Sequence, residues 1–351
     1  MNHTAKPVSG QTDTIDLGAD HILQVKGLKI SFKTDDGLIR AVDGVDFSVG
    51  RGRTLGLVGE SGSGKSVSTW AIMKLLPRTA VIHENSSILL TRKDGNVIDI
   101  TKLNSSEQKI KEIRGGDVSI VFQEPMNSFS PVYTIGNQIS EAIMLHRRLS
   151  KQEAKEIAVN MLDRVGIPNP ARRFNEYPFE LSGGMRQRAM IAVALCTSPS
   201  LLIADEPTTA LDVTIQAQVL ELMKELQSDL KMSTIFITHN LGVIAQMADE
   251  IAVMYLGGIV ERGPCREIFF NPMHPYTINL LRAIPRLGMA RNQRLVPISG
   301  MIPSPLERPP GCRFHTRCKK MIPGRCDVDM PETVRISQDH TVDCFLYSDS
   351  V

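Results

Sequence analysis

The sequence predicts an α/β fold built on a P-loop nucleotide-binding core, and two stretches carry that prediction. Residues 53–76, RTLGLVGESGSGKSVSTWAIMKLL, run from an apolar alternation (Leu55, Leu57) through a glycine-rich loop into a segment with helical spacing at Trp70, Met73 and Leu76. Inside it lies the complete P-loop pattern Gly59-Glu60-Ser61-Gly62-Ser63-Gly64-Lys65-Ser66, in the strand–loop–helix setting the pattern requires. The second stretch, SLLIADEPTTALD, opens on the apolar run Leu201–Ala204 and ends in Asp205-Glu206. An unbroken apolar run of that length fits a buried parallel strand. Carboxylates at its C-terminal end would sit in the crevice where open α/β sheets bind ligands.

The residue types explain the chemistry. Glycines let backbone N–H groups close around phosphate oxygens, and a helix N-terminus adds partial positive charge. The candidate nucleotide-binding residues are Gly59, Ser61, Gly62, Ser63, Gly64, Lys65, Ser66 and Val67. Lys65 can reach the β and γ phosphates, and the Ser66 hydroxyl can ligand Mg²⁺. Asp205 is placed to hold Mg²⁺ through water, and Glu206, one residue further, to polarise an attacking water. The plain alternatives are a chance glycine-rich turn and a solvated acidic pair. Two motifs in the right order and context argue against both.

Composition narrows the class. A chain of 351 residues holds one large domain with an appendage, or two modest ones. With 40 Lys+Arg against 38 Asp+Glu, no long-range field calls for nucleic acid or an anionic surface. The longest apolar runs, AMIAVALC and IAVMYLGGIV, are about half of the roughly 20 residues that cross a bilayer. Residues 1–20 have no hydrophobic stretch of the secretory kind and read as a polar tail. The expectation is a protein of the reducing cytoplasm, where a structural disulfide has no place.

A third stretch makes the class specific. ELSGGMRQRAMIAVAL starts at Glu180, and its Ser182, Gly183 and Gly184 head an amphipathic segment as an anion-binding helix N-terminus would. Placed between a P-loop and an Asp-Glu strand, it resembles the signature motif of the ABC ATPases. Gln123 in VFQEP resembles the Q-loop, Asp212 in ALD the D-loop and His239 in IFITHN the switch histidine. Phe32 in LKISF resembles the aromatic that stacks on adenine, though a strand residue packed into the core would read the same way. Met185 departs from the commonest signature, where glutamine is frequent; the serine and glycine that would touch the γ-phosphate are retained. The likeness covers about residues 20–265.

The resemblance implies that two such domains meet head to tail around ATP. Lys65, Ser66, Gln123, Asp205, Glu206 and His239 would serve one site, with Ser66, Gln123 and Asp205 around Mg²⁺ and Glu206, His239 and Gln123 in catalysis. Ser182, Gly183, Gly184 and Asp212 would serve the partner's site. One P-loop and one signature occur here, so a second ABC ATPase subunit must come from another polypeptide.

The remaining elements follow from local pattern. Residues 21–52 alternate apolar and polar around DDG and GRG turns and read as antiparallel strands beside the nucleotide core. SILLTRKDGNVIDIT reads as a hairpin turning at Asp94-Gly95. SKQEAKEIAVNMLDRVG has a serine start (Ser150) and a glycine stop (Gly166), within a helical subdomain expected at about 135–185. EPMNSFSPVYTIGNQI is rich in turn residues; by family likeness it meets a permease coupling helix, and otherwise it is a surface loop. IAVMYLGGIVERG reads as two short strands around a glycine pair.

Beyond residue 265, a proline-flanked helical run (NPMHPYTINLLRAIPRL) leads to GCRFHTRCKKMIPGRC. HPY, the cysteine group, FQEPMNSFSP and LSGGMRQR together resemble the ATPase subunits of oligopeptide and dipeptide importers, with 266–351 as a C-terminal extension. Cys312, Cys318, Cys326 and Cys344 could form a four-thiolate site. Their gaps of five, seven and seventeen residues lack the short pairs usual for zinc. An Fe₄S₄ cluster tolerates such spacing, and Arg313, Arg317, Lys319, Lys320 and Arg325 would offset its charge; zinc, free thiols or a solvated basic face are the alternatives. Cys196 and Cys265 read as isolated thiols.

The resemblance implies an ATP-hydrolysing subunit on the cytoplasmic face of the inner membrane, energising uptake of di- or oligopeptides. It implies a heterodimeric ATPase pair, two transmembrane permeases, an external solute-binding protein and no nucleic acid. Import of oligosaccharides, opines or nickel by the same machinery is one alternative. A soluble ABC ATPase of DNA repair or translation is another, although the usual coiled coil or second ATPase domain is absent from this sequence.

Overall fold

The computed structural model describes residues 17, 20–104, 107–124, 128–209, 211–283 and 298–348. The expected tail 1–20 thus lies outside the described residues except for 17 and 20, as do residues 125–127 of the stretch expected to meet a permease.

Two sheets organise the chain. In the first, β1 (His21–Thr34) and β2 (Gly37–Gly50) pair antiparallel, β5 (Ser87–Thr91) and β6 (Val97–Asp99) extend them, and β4 (Ala80–Ile82) lies against the far end of β1. The β5–β6 hairpin turns where Gly95 takes φ 86°, a conformation glycine adopts without steric cost. The buried face of β1 and β2 (Leu23, Val25, Ile30, Val45, Phe47) shares one apolar cluster with Leu55, Leu57 and Ile235 of the second sheet. That packing fixes the antiparallel layer against the nucleotide core.

The second sheet contains β3 (Thr54–Val58), β7 (Val118–Val121), β8 (Leu201–Asp205), β9 (Ser233–Ile237), β10 (Glu250–Tyr255), β11 (Gly258–Pro264), β12 (Thr333–Ser337) and β13 (His340–Asp343). Its order is β12-β13-β11-β10-β3-β9-β8-β7, parallel from β10 through β7. Every residue of β3, β8 and β9 is buried, which is why these strands are apolar without alternation. Beside this sheet, the helices Ile135–His146 and Lys151–Arg164 join Gly183–Leu195 in the other large apolar cluster through Ile139, Ile143, Ala158, Leu162, Ile191 and Leu195. Ser150 and Glu153 form a reciprocal capping box at the start of the second of these, and Gly166 takes φ 73° just past its end.

The C-terminal segment is not simply appended. The β12–β13 hairpin pairs with β11 (Glu261↔Val342, Arg262↔Thr341) and so continues the nucleotide sheet. One buried carboxylate organises the junction. Glu261 accepts hydrogen bonds from the Met273 N–H at 2.7 Å and the His274 N–H at 2.9 Å, and meets His340 Nε2 at 2.8 Å. Two separate pieces of chain, Met273–His274 and β13, thereby depend on one side chain of β11. His274 in turn caps the helix Pro275–Arg282, its Nδ1 accepting the Tyr276 N–H at 3.0 Å.

Burial holds the His274 pKa down at about 4, below the ordinary 6.5, against the opposing pull of Glu261. As pH falls, the unfolded chain therefore takes up this proton before the folded one does. The contribution to stability is complete above about 6.5 and is lost as pH drops toward 4. His274→Asn, which keeps an oxygen able to cap the helix, should lower the melting temperature near neutral pH and flatten its fall between about pH 7 and 5. Thermal melts of the full chain across that range check this; an acid slope as steep as wild type would remove His274 as its source.

Candidate nucleotide site

The P-loop leaves the C-terminal end of β3 and turns into the helix Lys65–Ile72. Gly64 makes the turn with φ 99°, and a Cβ there would stand 2.7 Å from the Ala41 carbonyl oxygen, so both conformation and space demand glycine. The Lys65 ammonium lies along the inside of the loop, donating to the carbonyls of Gly59 (2.8 Å) and Glu60 (3.0 Å) and to Ser63 Oγ (3.3 Å). Burial lowers the Lys65 pKa, while Glu206, Asp205 and Glu60 oppose that shift.

Opposite the loop, β8 delivers its two carboxylates. Ser66 Oγ donates to Asp205 Oδ1 at 3.1 Å. Glu206 sits just past the strand at φ 48°, an uncommon conformation for a residue with a side chain, and its N–H is tied to the Ile237 carbonyl at 2.9 Å. Its carboxylate is held on both oxygens. Oε2 accepts from Thr209 Oγ1 (2.9 Å) and Gln123 Nε2 (3.1 Å), and Oε1 lies 3.0 Å from His239 Nδ1. A carboxylate can only accept there, so Nδ1 carries the proton.

The neighbouring acids are pushed apart. Burial raises the Asp205 pKa, aided by the Glu206 charge and only partly offset by Ser66 and Lys65. Burial also pushes Glu206 up, but the hydrogen bonds of His239 and Thr209 and the Lys65 charge outweigh it, leaving its pKa lowered. Environments that separate two adjacent carboxyls are the usual mark of divided roles.

Ser61, Gly62, Ser63, Gly64, Lys65, Ser66, Val67, Gln123, Asp205, Glu206 and His239 line one cleft. Gly59 stands behind it and contributes its carbonyl to Lys65. Phe32 is not among the lining side chains; it lies in β1, opposite Ile39 and Ala80, against the antiparallel-layer core. Ser182, Gly183, Gly184 and Asp212 do not line this cleft either. Ser182 and Asp212 cap the helices Gly183–Leu195 and Val213–Leu230, accepting from the Met185 N–H (3.4 Å) and the Ile215 N–H (3.0 Å), with Ser182, Gly183 and Asp212 exposed. Thr209 was not anticipated from sequence; its signal was a hydroxyl three residues after the acid.

The tail cysteines are all free thiols. Cys312 and Cys326 are joined through the Cys312 N–H and the Cys326 carbonyl at 2.8 Å, and Cys326 Sγ accepts the Ile322 N–H at 3.3 Å. Burial, then the neighbouring thiols, pushes Cys312 and Cys344 up to about 11. Among the described residues, no group of three or more His, Cys, Asp or Glu side chains is arranged to hold a metal ion. Cys312, Cys318, Cys326 and Cys344 are thus neighbours in the tail without being an assembled ligand set among the described residues. The expected offsetting role of the basic residues is also corrected in two cases. Arg313 turns to Asp43 at 3.5 Å and Arg317 to Glu60 at 2.7 Å.

Residues 42–209 match the family described as "ABC transporter", and residues 260–326 the family described as "Oligopeptide/dipeptide transporter, C-terminal region". The chain is 46% identical over 329 residues to the dipeptide transport ATP-binding protein DppD of Bacillus subtilis, covering 93% of this chain and 95% of that one. It is 47% identical over 326 residues to the oligopeptide transport ATP-binding protein OppD of the same organism, covering 93% and 88%. In structure it is similar to an ATP-binding cassette solved as a post-hydrolysis dimer with ADP and Pi, at TM-score 0.60 and 25% identity, over 70% of this chain and 99% of that one. With an ABC ATPase core and this C-terminal region on one chain, the protein belongs to the ATP-binding subunits of ABC transporters, in the oligopeptide/dipeptide family.

Proposed function

We propose that this chain hydrolyses ATP to drive uptake of di- and oligopeptides through a membrane importer. The observation that carries the catalytic part is the fixed Glu206 carboxylate, gripped by Gln123, Thr209 and His239, one residue from an acid that meets the P-loop serine.

The P-loop amides and Lys65 seat the phosphates, and Lys65 exchanges loop carbonyls for phosphate oxygens as it does so. Ser66 Oγ and the buried Asp205 carboxylate, 3.1 Å apart, suit Mg²⁺, with Gln123 at the same cleft. Held by Ser66, Asp205 and Gln123, Mg²⁺ would supply charge neutralisation for the phosphates. Glu206, ionised and oriented, accepts a hydrogen bond from the water whose oxygen attacks the γ-phosphorus. The bond to the bridging oxygen breaks, giving ADP and phosphate. His239 donates from Nδ1 to Glu206 and leaves its other nitrogen toward the cleft. Phe32 as an adenine platform is supported by the family likeness alone.

Ser182, Gly183, Gly184 and Asp212 serve the site of a second ABC ATPase subunit, in a heterodimer. The exposure of Ser182, Gly183 and Asp212, the place of all four outside their own cleft, and the dimeric state of the structural neighbour support that reading. Two permeases and an external solute-binding protein complete the importer, which holds this subunit on the cytoplasmic face of the inner membrane. Among the described residues no helix is long and apolar enough to cross a membrane. The names of DppD and OppD support peptide as cargo.

Glu206→Gln should cut ATP turnover by about 100-fold or more while ATP binding persists. Phosphate release by the assembled transporter and equilibrium ATP binding check this; wild-type turnover in the variant would end the assignment. An Fe₄S₄ cluster on Cys312, Cys318, Cys326 and Cys344 is the further reading, supported by thiols close enough that Cys312, Cys318 and Cys326 each add to the burial that raises Cys344. Anaerobically purified protein should then carry about four irons and acid-labile sulfide, both lost in Cys344→Ser. Zinc in place of iron, or neither metal, would refute the cluster.

A further inference from the structure

Glu60, the second residue of the P-loop pattern, has all its polar groups engaged, two of them by the C-terminal region. Its N–H donates to Tyr276 Oη at 2.9 Å, from the helix Pro275–Arg282. Its carbonyl accepts from Lys65 Nζ at 3.0 Å. Its carboxylate receives both terminal nitrogens of Arg317, at 2.7 and 3.1 Å, a two-pronged ion pair across 257 residues of sequence.

Arg317 is built in rather than merely nearby. Its side chain is 3% exposed. It also donates to Tyr255 Oη (3.3 Å) and to the carbonyls of Ser299 (3.2 Å) and Ile298 (3.5 Å), and its guanidinium lies 5.7 Å from the Tyr255 ring centre. Tyr255, Tyr276 and Phe314 close on one another with ring centres 4.7 to 5.4 Å apart, walling the pair on its apolar side. Arg317 ends a short 3₁₀ turn, His315–Arg317, set between Cys312 and Cys318.

The charge of Glu60 is the difficulty this arrangement answers. A loop that binds a polyphosphate gains from every cation and loses from every carboxylate within a Debye length, about 10 Å at 0.1 M salt. The Glu60 carbonyl touches the very ammonium that reaches the phosphates, so its carboxylate falls within that range. We propose that Arg317 is a positioning residue for ATP binding, neutralising Glu60 from the C-terminal region so that the phosphates meet a net cationic loop. Tyr276 holds the Gly59–Glu60 peptide unit, whose Gly59 carbonyl also accepts from Lys65, and so helps set the line along which Lys65 lies. The tail is then part of the nucleotide site's electrostatics. This rests on the cleft being the ATP site.

The test is a charge cycle on the full-length chain, read as the affinity for a fluorescent ATP analogue at low and moderate salt. Arg317→Met should weaken binding about tenfold at low salt and less at moderate salt, because the exposed repulsion is screened. Glu60→Gln in the same chain, where no Arg317 charge is left unpaired, should restore affinity to within about twofold. A purely structural staple predicts the reverse: weak binding in Arg317→Met that Glu60→Gln does not relieve, and no salt dependence. Either that pattern, or undiminished binding in Arg317→Met, overturns the proposal. Should Arg317→Met fail to fold, Arg317→Lys carries the test: it keeps the charge and should bind within about threefold of wild type at low salt, and a loss of about tenfold or more there overturns the proposal. Wild type that does not bind the analogue, or binds it equally with Lys65→Ala, would overturn the site reading itself.

Discussion

A strand with no exposed residue ends here in two adjacent carboxylates, and much of the molecule is arranged around that fact. β8 is apolar because both its faces are covered, so Asp205 and Glu206 are the first groups on it that can meet polar partners. They find opposite ones. Asp205 meets a hydroxyl from the P-loop and keeps a raised pKa. Glu206 is swung into a left-handed backbone conformation and gripped by side chains that follow β7, β8 and β9 in sequence, and two of these, Thr209 and His239, help lower its pKa. Parallel strands in adjacent register bring those three loops to one edge of the sheet. Sheet order and catalytic geometry are therefore one constraint seen at two scales.

The C-terminal region obeys a second, complementary rule. Three carboxylates outside it are satisfied by its cations or imidazoles: Asp43 by Arg308 and Arg313, Glu60 by Arg317, and Glu261 by His340. Burial alone would raise Asp43, yet the two arginines hold it below the ordinary carboxylate value. Removing one partner of such a pair leaves a charge with poor access to water, which costs far more than the pair contributes when intact. The tail and core are thus locked by matched charges at separate points, with the aromatic box of Tyr255, Tyr276 and Phe314 between them.

What could be read from sequence was what is local. The P-loop, the Asp-Glu strand end, the Asp94-Gly95 turn and the capped helix beginning at Ser150 each announce themselves within about ten residues, because turn chemistry and periodicity act at that range. Pairings between distant residues did not show. Glu261 meets His340 across 79 residues and Glu60 meets Arg317 across 257, and no periodicity links them. That is why the tail read as an appendage when its hairpin in fact continues the sheet. It is also why Arg313 and Arg317 looked like counter-charges for the cysteines lying beside them in sequence. Phe32 shows the limit of a motif: its place in β1 satisfies strand alternation, and nothing in its neighbours distinguishes a stacking platform from core packing.

The pairing of β13 with β11 has a consequence for where this chain can be cut. A boundary drawn at residue 265 falls after the ATPase motifs and looks natural on paper. It would strip the outer neighbour from β11, leaving a sheet edge whose unpaired amides and carbonyls are a template for another chain. It would also remove Met273, His274 and His340 from a fully buried carboxylate. A fragment ending there would be a sticky, charge-strained object, and its behaviour would say little about the ATPase from which it was taken.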